Sequence, residues 1–325
     1  MVKPPLLALT IGDPCGIGPE IVAKTLSSLP IALARRLIAI GPIDHLKKTF
    51  LSLGLSEPIW RSYENAPFDG LRFISIDNNE TYDYGEVCSH GGDAAIKAVQ
   101  IAHELCVQGI CAGMITGPIG KKAIRLAGST YSGHTDMLCA LAGVKTTRMA
   151  MVFNKMRVVM TTLHVSFREV PKLLTKQTVF ETLQLAHEAF SEKIKPFPVI
   201  AVSGLNPHAG EDGLFGDEEK VIIKPAIEEF RKVNPNVSGP FPADILFKRE
   251  MLKSTDVFVT QTHDQGLIPI KAFGGIRCVN VTLGLPYVRT SVGHGTAYDI
   301  AGTGLADPSG LLQAIKLGFR LCKKK

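Results

Sequence analysis

Three histidines sit where chemistry is easily built: His164 in TTLHVSFRE, His208 in SGLNPHAGEDG and His263 in TQTHDQGLIP. Each follows an apolar run that reads as a buried strand, MRVVMTT, PVIAVSG and DVFVTQT. Strand ends that converge on one edge of a sheet are where open α/β folds bind ligands. Three neutral imidazoles meeting at a point form a metal site with a position left for water or substrate. Taken singly, each histidine reads more readily as a hydrogen-bonded surface or turn residue. It is the shared placement that favours the metal.

Other segments carry chemistry with a structural alternative beside it. Gly12-Asp13-Pro14-Cys15-Gly16-Ile17-Gly18-Pro19-Glu20 is a glycine-rich strand-to-helix turn, either an anion cradle or a plain tight turn. Its glycine spacing is not that of the dinucleotide fingerprint. Thr116-Gly117-Pro118-Ile119-Gly120-Lys121-Lys122 offers Lys121 to an anion or merely to solvent. In Tyr131-Ser132-Gly133-His134-Thr135-Asp136, His134 and Thr135 suit a polar substrate, while Thr135 or Asp136 suits a helix cap. Asp244, after Gly239-Pro240-Phe241-Pro242, and Asp264, beside His263, are carboxylates able to orient an imidazole or shape a turn. Arg289, next to Thr290 and Ser291, is good phosphate chemistry, and Lys271 and Asn280 lie upstream of it. The small residues of His294-Gly295-Thr296-Ala297-Tyr298-Asp299 let a flat ligand approach the backbone, with Asp299 placed to accept ribose hydroxyls or to cap.

The elements that must hold these residues alternate. Strand signals fall at Leu6–Gly12, Leu37–Gly41, Leu71–Ile76, Ile110–Thr116, Val199–Ser203, Val257–Thr262 and Cys278–Leu283. Met149–Phe153 and Arg157–Thr162 flank Asn154-Lys155 as a hairpin. Helical patterns run from Pro19 to Leu29, from an N-cap at Asp93 to about Gln108, near Val170–Leu174, over Val179–Glu192 and over Leu311–Leu321. Such alternation predicts an α/β fold with a mostly parallel sheet, and the embedded hairpin predicts a second subdomain.

The chain has 325 residues, 45% hydrophobic and 20% charged, with a formal net charge of +6, which suits an α/β enzyme of one or two domains. The only basic run is Lys323–Lys325, and aromatics are 7%, so no stripe for nucleic acid is present. The seven scattered cysteines form no CxxC pair and predict free thiols in a reducing, cytoplasmic setting. The apolar stretch before Gly12 reads as a first strand rather than a signal peptide or membrane span.

GDPCGIGPE, SGHTD, NPHAGEDGLFGDEE, GPFPAD, HDQGL and VTLGLPYVRTSVGHGTAYDIAGTG, in this order, resemble the 4-hydroxythreonine-4-phosphate dehydrogenase (PdxA) family of vitamin B6 (pyridoxine) biosynthesis, from about Leu6 to Leu311. GIGPE and HGTAYDIAGTGLADP are also similar to the wider isocitrate/isopropylmalate dehydrogenase group, which binds its nicotinamide without a Rossmann fingerprint. The resemblance implies a two-domain α/β/α fold, isocitrate/isopropylmalate dehydrogenase-like and not Rossmann. We place the first domain at residues 1–128 plus 285–325 and the second at 129–284, with the active site between them. It implies a homodimer that shares its active sites, and an oxidoreductase using NAD or NADP and a divalent metal (zinc, cobalt or magnesium). The metal ligands so implied are His164, His208 and His263. The substrate contacts are His134, Thr135, Lys271, Asn280 and Arg289. Lys271 and His134 are the catalytic candidates, although a water on the metal is an equal claimant for the hydroxyl proton. The wider group implies cofactor contacts at His294, Gly295, Thr296, Ala297 and Asp299. The implied reaction oxidises 4-phosphooxy-L-threonine and decarboxylates the product to 3-amino-2-oxopropyl phosphate.

Cys15, Gly120, Thr262 and Gly293 stand where the family usually has alanine, a polar residue, tyrosine and aspartate. Besides a catalytically silent metal-binding module whose histidines only clamp a dimer, two rivals remain at this stage. One is a dehydrogenase of sugar acids such as 4-phospho-threonate or an erythronate analogue. The other is a three-histidine metallohydrolase with Asp244 or Asp264 as base.

Overall fold

The computed structural model describes residues 5–63, 69–76, 80–191 and 193–322. Twelve strands are found among them: β1 (Leu7–Thr10), β2 (Leu37–Gly41), β3 (Trp60–Ser62), β4 (Leu71–Ser75), β5 (Gly113–Thr116), β6 (Arg148–Phe153), β7 (Met156–Met160), β8 (Ile200–Ser203), β9 (Val237–Phe241), β10 (Val257–Thr260), β11 (Val279–Leu283) and β12 (Val288–Val292). The chain divides into two compact units, one running to Lys145 and resuming at Leu285, the other spanning Thr146–Gly284. The first break falls after residue 145 rather than 128 because the helix His134–Leu141 buries Met137 and Leu138 in the first unit's core.

In the first unit the strands run β3-β4-β2-β1-β5-β12, and every pair is parallel. β1, β2 and β5 are buried at each position, as strands covered on both faces must be, which is why they read as unbroken apolar runs. The helix Ser89–Val107 lays Ala94, Ala95, Ala98, Val99 and Ala102 into this core. It begins one turn before the expected Asp93 cap. Cys88 is the N-cap, and Asp93 points outward to Lys97 at 2.8 Å, an i,i+4 pair.

In the second unit the order is β11-β6-β7-β10-β8-β9. β11, β6 and β7 form an antiparallel edge, while β7, β10, β8 and β9 are mutually parallel. The predicted hairpin is present, with Asn154 at φ 53°, a left-handed conformation that asparagine tolerates. The late helix starts at Ser309 and ends at Leu321. The Lys323–Lys325 run and Glu192 lie outside the described residues.

Candidate active-site constellations

Because β7, β10 and β8 are parallel neighbours, their C-terminal ends lie along one edge, and the three histidines leave the sheet there. The edge is tied together by side chains. Gln261 Nε2 donates to the Ser203 carbonyl (2.8 Å), Gln265 Nε2 to the Gly204 carbonyl (3.0 Å) and Thr162 Oγ1 to the Gln261 carbonyl (2.6 Å). Thr262 caps the helix His263–Gly274, in a box whose Gln265 Oε1 accepts the Thr262 amide at 3.1 Å. That capping explains threonine where the family usually has tyrosine, and it fixes His263 at the first helical position.

His164 and His263 are brought together, with ring centroids 5.6 Å apart. His263 Nδ1 lies 2.6 Å from Asp264 Oδ1, the arrangement in which a carboxylate fixes the ring and leaves Nε2 for a ligand. Thr162, His164, Thr262, His263 and Asp264 line a cavity of about 220 Å³. A larger one, about 660 Å³, is walled by Asn206, Glu218, Asp244, Asp264 and Gln265 among others. Of the two carboxylates singled out as imidazole partners, Asp264 takes that role and Asp244 lines the larger cavity.

His208 is placed differently. It heads a run in which His208, Ala209, Gly210, Glu211 and Asp212 all have positive φ, between 42° and 81°. Left-handed backbone costs an L-residue about 1–2 kcal/mol, so this turn must be held from outside. The holder is the buried Glu219, whose Oε1 accepts the Leu205 and Asn206 amides, each at 2.7 Å, while Oε2 accepts Asn206 Nδ2 at 3.0 Å. His208 is exposed at the head of the turn, its ring 6.1 Å from that of Phe215. Among the described residues, no group of three or more His, Cys, Asp or Glu side chains stands at metal-binding spacing. Within one chain, then, the structure pairs His164 with His263 and leaves His208 outside that pair.

Lys271 lies on the same helix as His263, about 12 Å further along for eight residues, and is solvent-exposed. Asn280 is on β11 opposite Met151, and its Oδ1 is buried with no hydrogen-bond partner.

The first unit holds a second constellation. Arg289, on β12, is 2% exposed and donates from Nε (3.2 Å) and Nη2 (2.7 Å) to Thr116 Oγ1 at the end of the neighbouring β5. Burial draws its guanidinium down to about 10, against a smaller opposing pull from Tyr287. His134 opens the helix His134–Leu141. Burial, and secondarily the nearby Arg289, hold its imidazole well below the ordinary histidine range, so it is neutral. Its Nε2 is sealed from solvent with no partner. Asp136 is spent on the chain itself, accepting the Ser132 and Gly133 amides, so it is the capping residue of SGHTD, with Thr135 beside His134 on the first turn. A buried cation beside a neutral imidazole is an environment that an anion stabilises.

The glycine-rich turn at Gly12–Gly18 is occupied by protein. Asp13 is buried, and its Oδ2 accepts the Tyr298 hydroxyl at 2.6 Å while its Oδ1 accepts the Cys15 amide at 3.0 Å. Ile17 N donates to the Thr296 carbonyl (2.9 Å), and buried Glu20 pairs with Lys24 and accepts the Ala306 amide, both at 2.8 Å. The turn is therefore a brace for the loop of cofactor candidates. A side chain at Gly120 would fall on the Tyr298 hydroxyl, which explains glycine where the family usually has a polar residue. In that loop His294 Nδ1 lies 3.0 Å from the Gly295 carbonyl, its Nε2 is buried without a partner, Ala297 has φ 40°, and Asp299 is exposed.

Sequence reasoning missed Glu219, the Thr262–Gln265 box and the Asp13–Tyr298 bond. The box was legible as T-x-x-Q before an apolar run. The other two join residues distant in the chain and had no local signal.

No helix among the described residues is long and apolar enough to cross a membrane. The family described as pyridoxal phosphate biosynthetic protein PdxA matches residues 34–318. A 4-hydroxythreonine-4-phosphate dehydrogenase of Beijerinckia indica subsp. indica is 42% identical over 97% of this chain and 94% of its own length. A D-threonate 4-phosphate dehydrogenase of Cupriavidus necator is 36% identical over 99% and 98%. The crystal structure of 4-hydroxythreonine-4-phosphate dehydrogenase from Klebsiella pneumoniae superposes with a TM-score of 0.90 at 34% identity, covering 99% of both chains. The chain belongs to the PdxA family, and its two-unit α/β architecture is that family's fold.

Proposed function

We propose that this chain oxidises 4-phosphooxy-L-threonine with NAD or NADP in pyridoxal phosphate biosynthesis, with loss of CO2 from the product to give 3-amino-2-oxopropyl phosphate. One observation supports the assignment. Of nine buried side-chain polar atoms without partners among the described residues, three fall on His134, Asn280 and His294, residues that the family pattern gives to substrate and cofactor. Each such atom costs about 1–3 kcal/mol if nothing meets it, so a ligand is its natural complement.

The roles follow from the surroundings. Arg289, desolvated and anchored on Thr116, is assigned to the phosphate, with His134 and Thr135 orienting the polar end of the substrate. Lys271 and Asn280 are assigned to the reacting end, and Lys271 or His134 to the hydroxyl proton. His294, Gly295, Thr296, Ala297 and Asp299 are assigned to the nucleotide, on the brace that Asp13 and Tyr298 provide.

The donor set fits a divalent ion. His164 and His263 are adjacent, Asp264 fixes the second ring, and imidazole suits zinc or cobalt better than magnesium. Bound there, such an ion would supply Lewis acidity toward a secondary alcohol, and a nicotinamide held at His294–Asp299 would supply the hydride acceptor. We assign the third donor to His208. A homodimer that shares its sites accommodates supply of that residue by a second copy of the chain. The free thiols suit a cytoplasmic enzyme.

A second assignment is favoured by the Cupriavidus necator relative: oxidation of D-threonate 4-phosphate, with a hydroxyl where the amino acid has its amine. A coupled absorbance assay with both substrates, both nicotinamides and a chelator arm tests the proposal. Chelator-sensitive NADH or NADPH formation with 4-phosphooxy-L-threonine supports it. Turnover confined to D-threonate 4-phosphate would replace the substrate, and no reduction with either would refute dehydrogenation.

A further inference from the structure

Cys15 and Cys88 are far apart in sequence but meet in the first unit, with their sulfurs 3.5 Å apart. Both sulfurs converge over Gly91, where an added Cβ would lie 3.2 Å from Cys15 Sγ and 3.3 Å from Cys88 Sγ. Cys15 is fully buried, whereas Cys88 is half-buried and reachable from solvent. Cys88 is also the N-cap of the 19-residue helix Ser89–Val107, the end of a helix that carries the positive pole of its dipole. His90 Nε2 lies 3.2 Å from Cys88 Sγ and can take its proton. None of these three side chains has a part in the proposed dehydrogenation.

We propose that Cys15 and Cys88 are a peroxide-sensitive dithiol that closes to a disulfide, with His90 as the base. In the first step the Cys88 thiolate attacks the terminal oxygen of a hydroperoxide. The O–O bond breaks, an S–O bond forms, and the hydroxide or alkoxide released takes up the proton held by His90 and leaves as water or alcohol. In the second step Cys15 Sγ attacks the sulfenic sulfur of Cys88, forming the S–S bond. The S–O bond breaks, and its oxygen leaves as water with the Cys15 proton. Two thiols lose two electrons in all, and the peroxide gains them.

Closing the bond to about 2.05 Å requires the sulfurs to approach by roughly 1.5 Å. That movement pulls on a pinned segment. The Cys15 amide donates to Asp13 Oδ1, the Cys15 carbonyl accepts the Gly85 amide at 2.8 Å, and Asp13 in turn receives Tyr298. Oxidation therefore displaces the loop containing Thr296 and Tyr298. An effect on nucleotide affinity rests on the assignment of that loop made above, whereas the disulfide itself does not.

The test uses the purified full chain, reduced and then exposed to hydrogen peroxide, with non-reducing peptide mass mapping. The expected product is a single Cys15–Cys88 cross-link, lighter by two hydrogens and reversed by dithiothreitol. Cys15→Ala should halt at a Cys88 sulfenic acid trapped by dimedone. His90→Gln should slow cross-linking at least about tenfold. Hydrogen exchange of residues 296–299 should rise in the oxidised form. Recovery of both cysteines as free thiols after peroxide, or a cross-link of either to another cysteine, would overturn the proposal. An unchanged rate in His90→Gln would remove the base, and unchanged exchange at 296–299 would remove the transmission.

Discussion

Replacing Glu219 by alanine should release the turn that carries His208 without unfolding the protein. Glu219 accepts three hydrogen bonds from Leu205 and Asn206 at 2.7–3.0 Å. Bonds to a charged acceptor contribute about 1.5–3 kcal/mol each, so the anchor supplies about 4–9 kcal/mol locally. Against it stand His208, Ala209, Glu211 and Asp212, four non-glycine residues at positive φ, which store about 4–8 kcal/mol at 1–2 kcal/mol each. The two quantities nearly balance, so removal of the anchor lets the turn relax and recover most of its strain. Global stability in urea should therefore fall by only about 1–3 kcal/mol. Hydrogen-exchange protection of the Leu205 and Asn206 amides should be lost, and metal affinity should drop at least about tenfold, approaching that of His208→Ala. Glu219→Gln keeps Oε1 for the two amides and should fall between. Retained protection at Leu205 and Asn206, or wild-type metal affinity in Glu219→Ala, would show that the turn stands without its carboxylate and refute the reasoning.

Three further outcomes are expected. Arg289→Lys should raise KM for the phosphorylated substrate about tenfold to a hundredfold and leave KM for the nicotinamide unchanged, because a point charge cannot replace the fork held on Thr116; steady-state kinetics with each substrate varied decides it. His134 is held neutral by burial and by Arg289, whereas unfolded it titrates at the ordinary histidine value of 6.5. The unfolded chain thus binds more protons between the depressed folded pKa and 6.5. His134's contribution to stability is full above pH 6.5 and declines as pH falls toward the folded value, and His134→Gln should flatten that limb of a stability–pH curve. Gly120→Ala should cost about 1–3 kcal/mol in thermal unfolding by driving a methyl into Tyr298, and Tyr298→Phe in the same chain should recover part of the loss.

The sheet was legible because buried parallel strands write themselves as apolar runs. Leu37–Gly41 was read with both ends correct, and the Asn154-Lys155 hairpin by its turn chemistry. Strands such as Val237–Phe241 and Val288–Val292 were not, since glycine and proline interrupt the first and arginine with hydroxyls fills the second. Arg289 shows why: a buried charged residue in a strand breaks the pattern by which burial is read. Of the candidate metal ligands, the shared strand-end placement of His164 and His263 was visible in sequence, and so was the carboxylate beside the second. That His208 stands apart on a left-handed turn was not, because no local rule predicts positive φ for His-Ala-Gly-Glu-Asp. The cause is Glu219, in the following helical segment. Asp93 was misread for a related reason, as a cap signal four residues inside a helix that Cys88 begins.

The winding of residues 208–212 has a stereochemical corollary. Its φ values are those that mirror-image amino acids adopt at rest. A semisynthetic chain with D-alanine at 209 would find the native turn a relaxed conformation, whereas every L-substitution there inherits the same conflict. Evolution, confined to one enantiomer, can vary which side chains the turn displays but not the hand in which it displays them. The backbone leading into His208 is thus pinned from outside the turn, by Glu219 through the Leu205 and Asn206 amides.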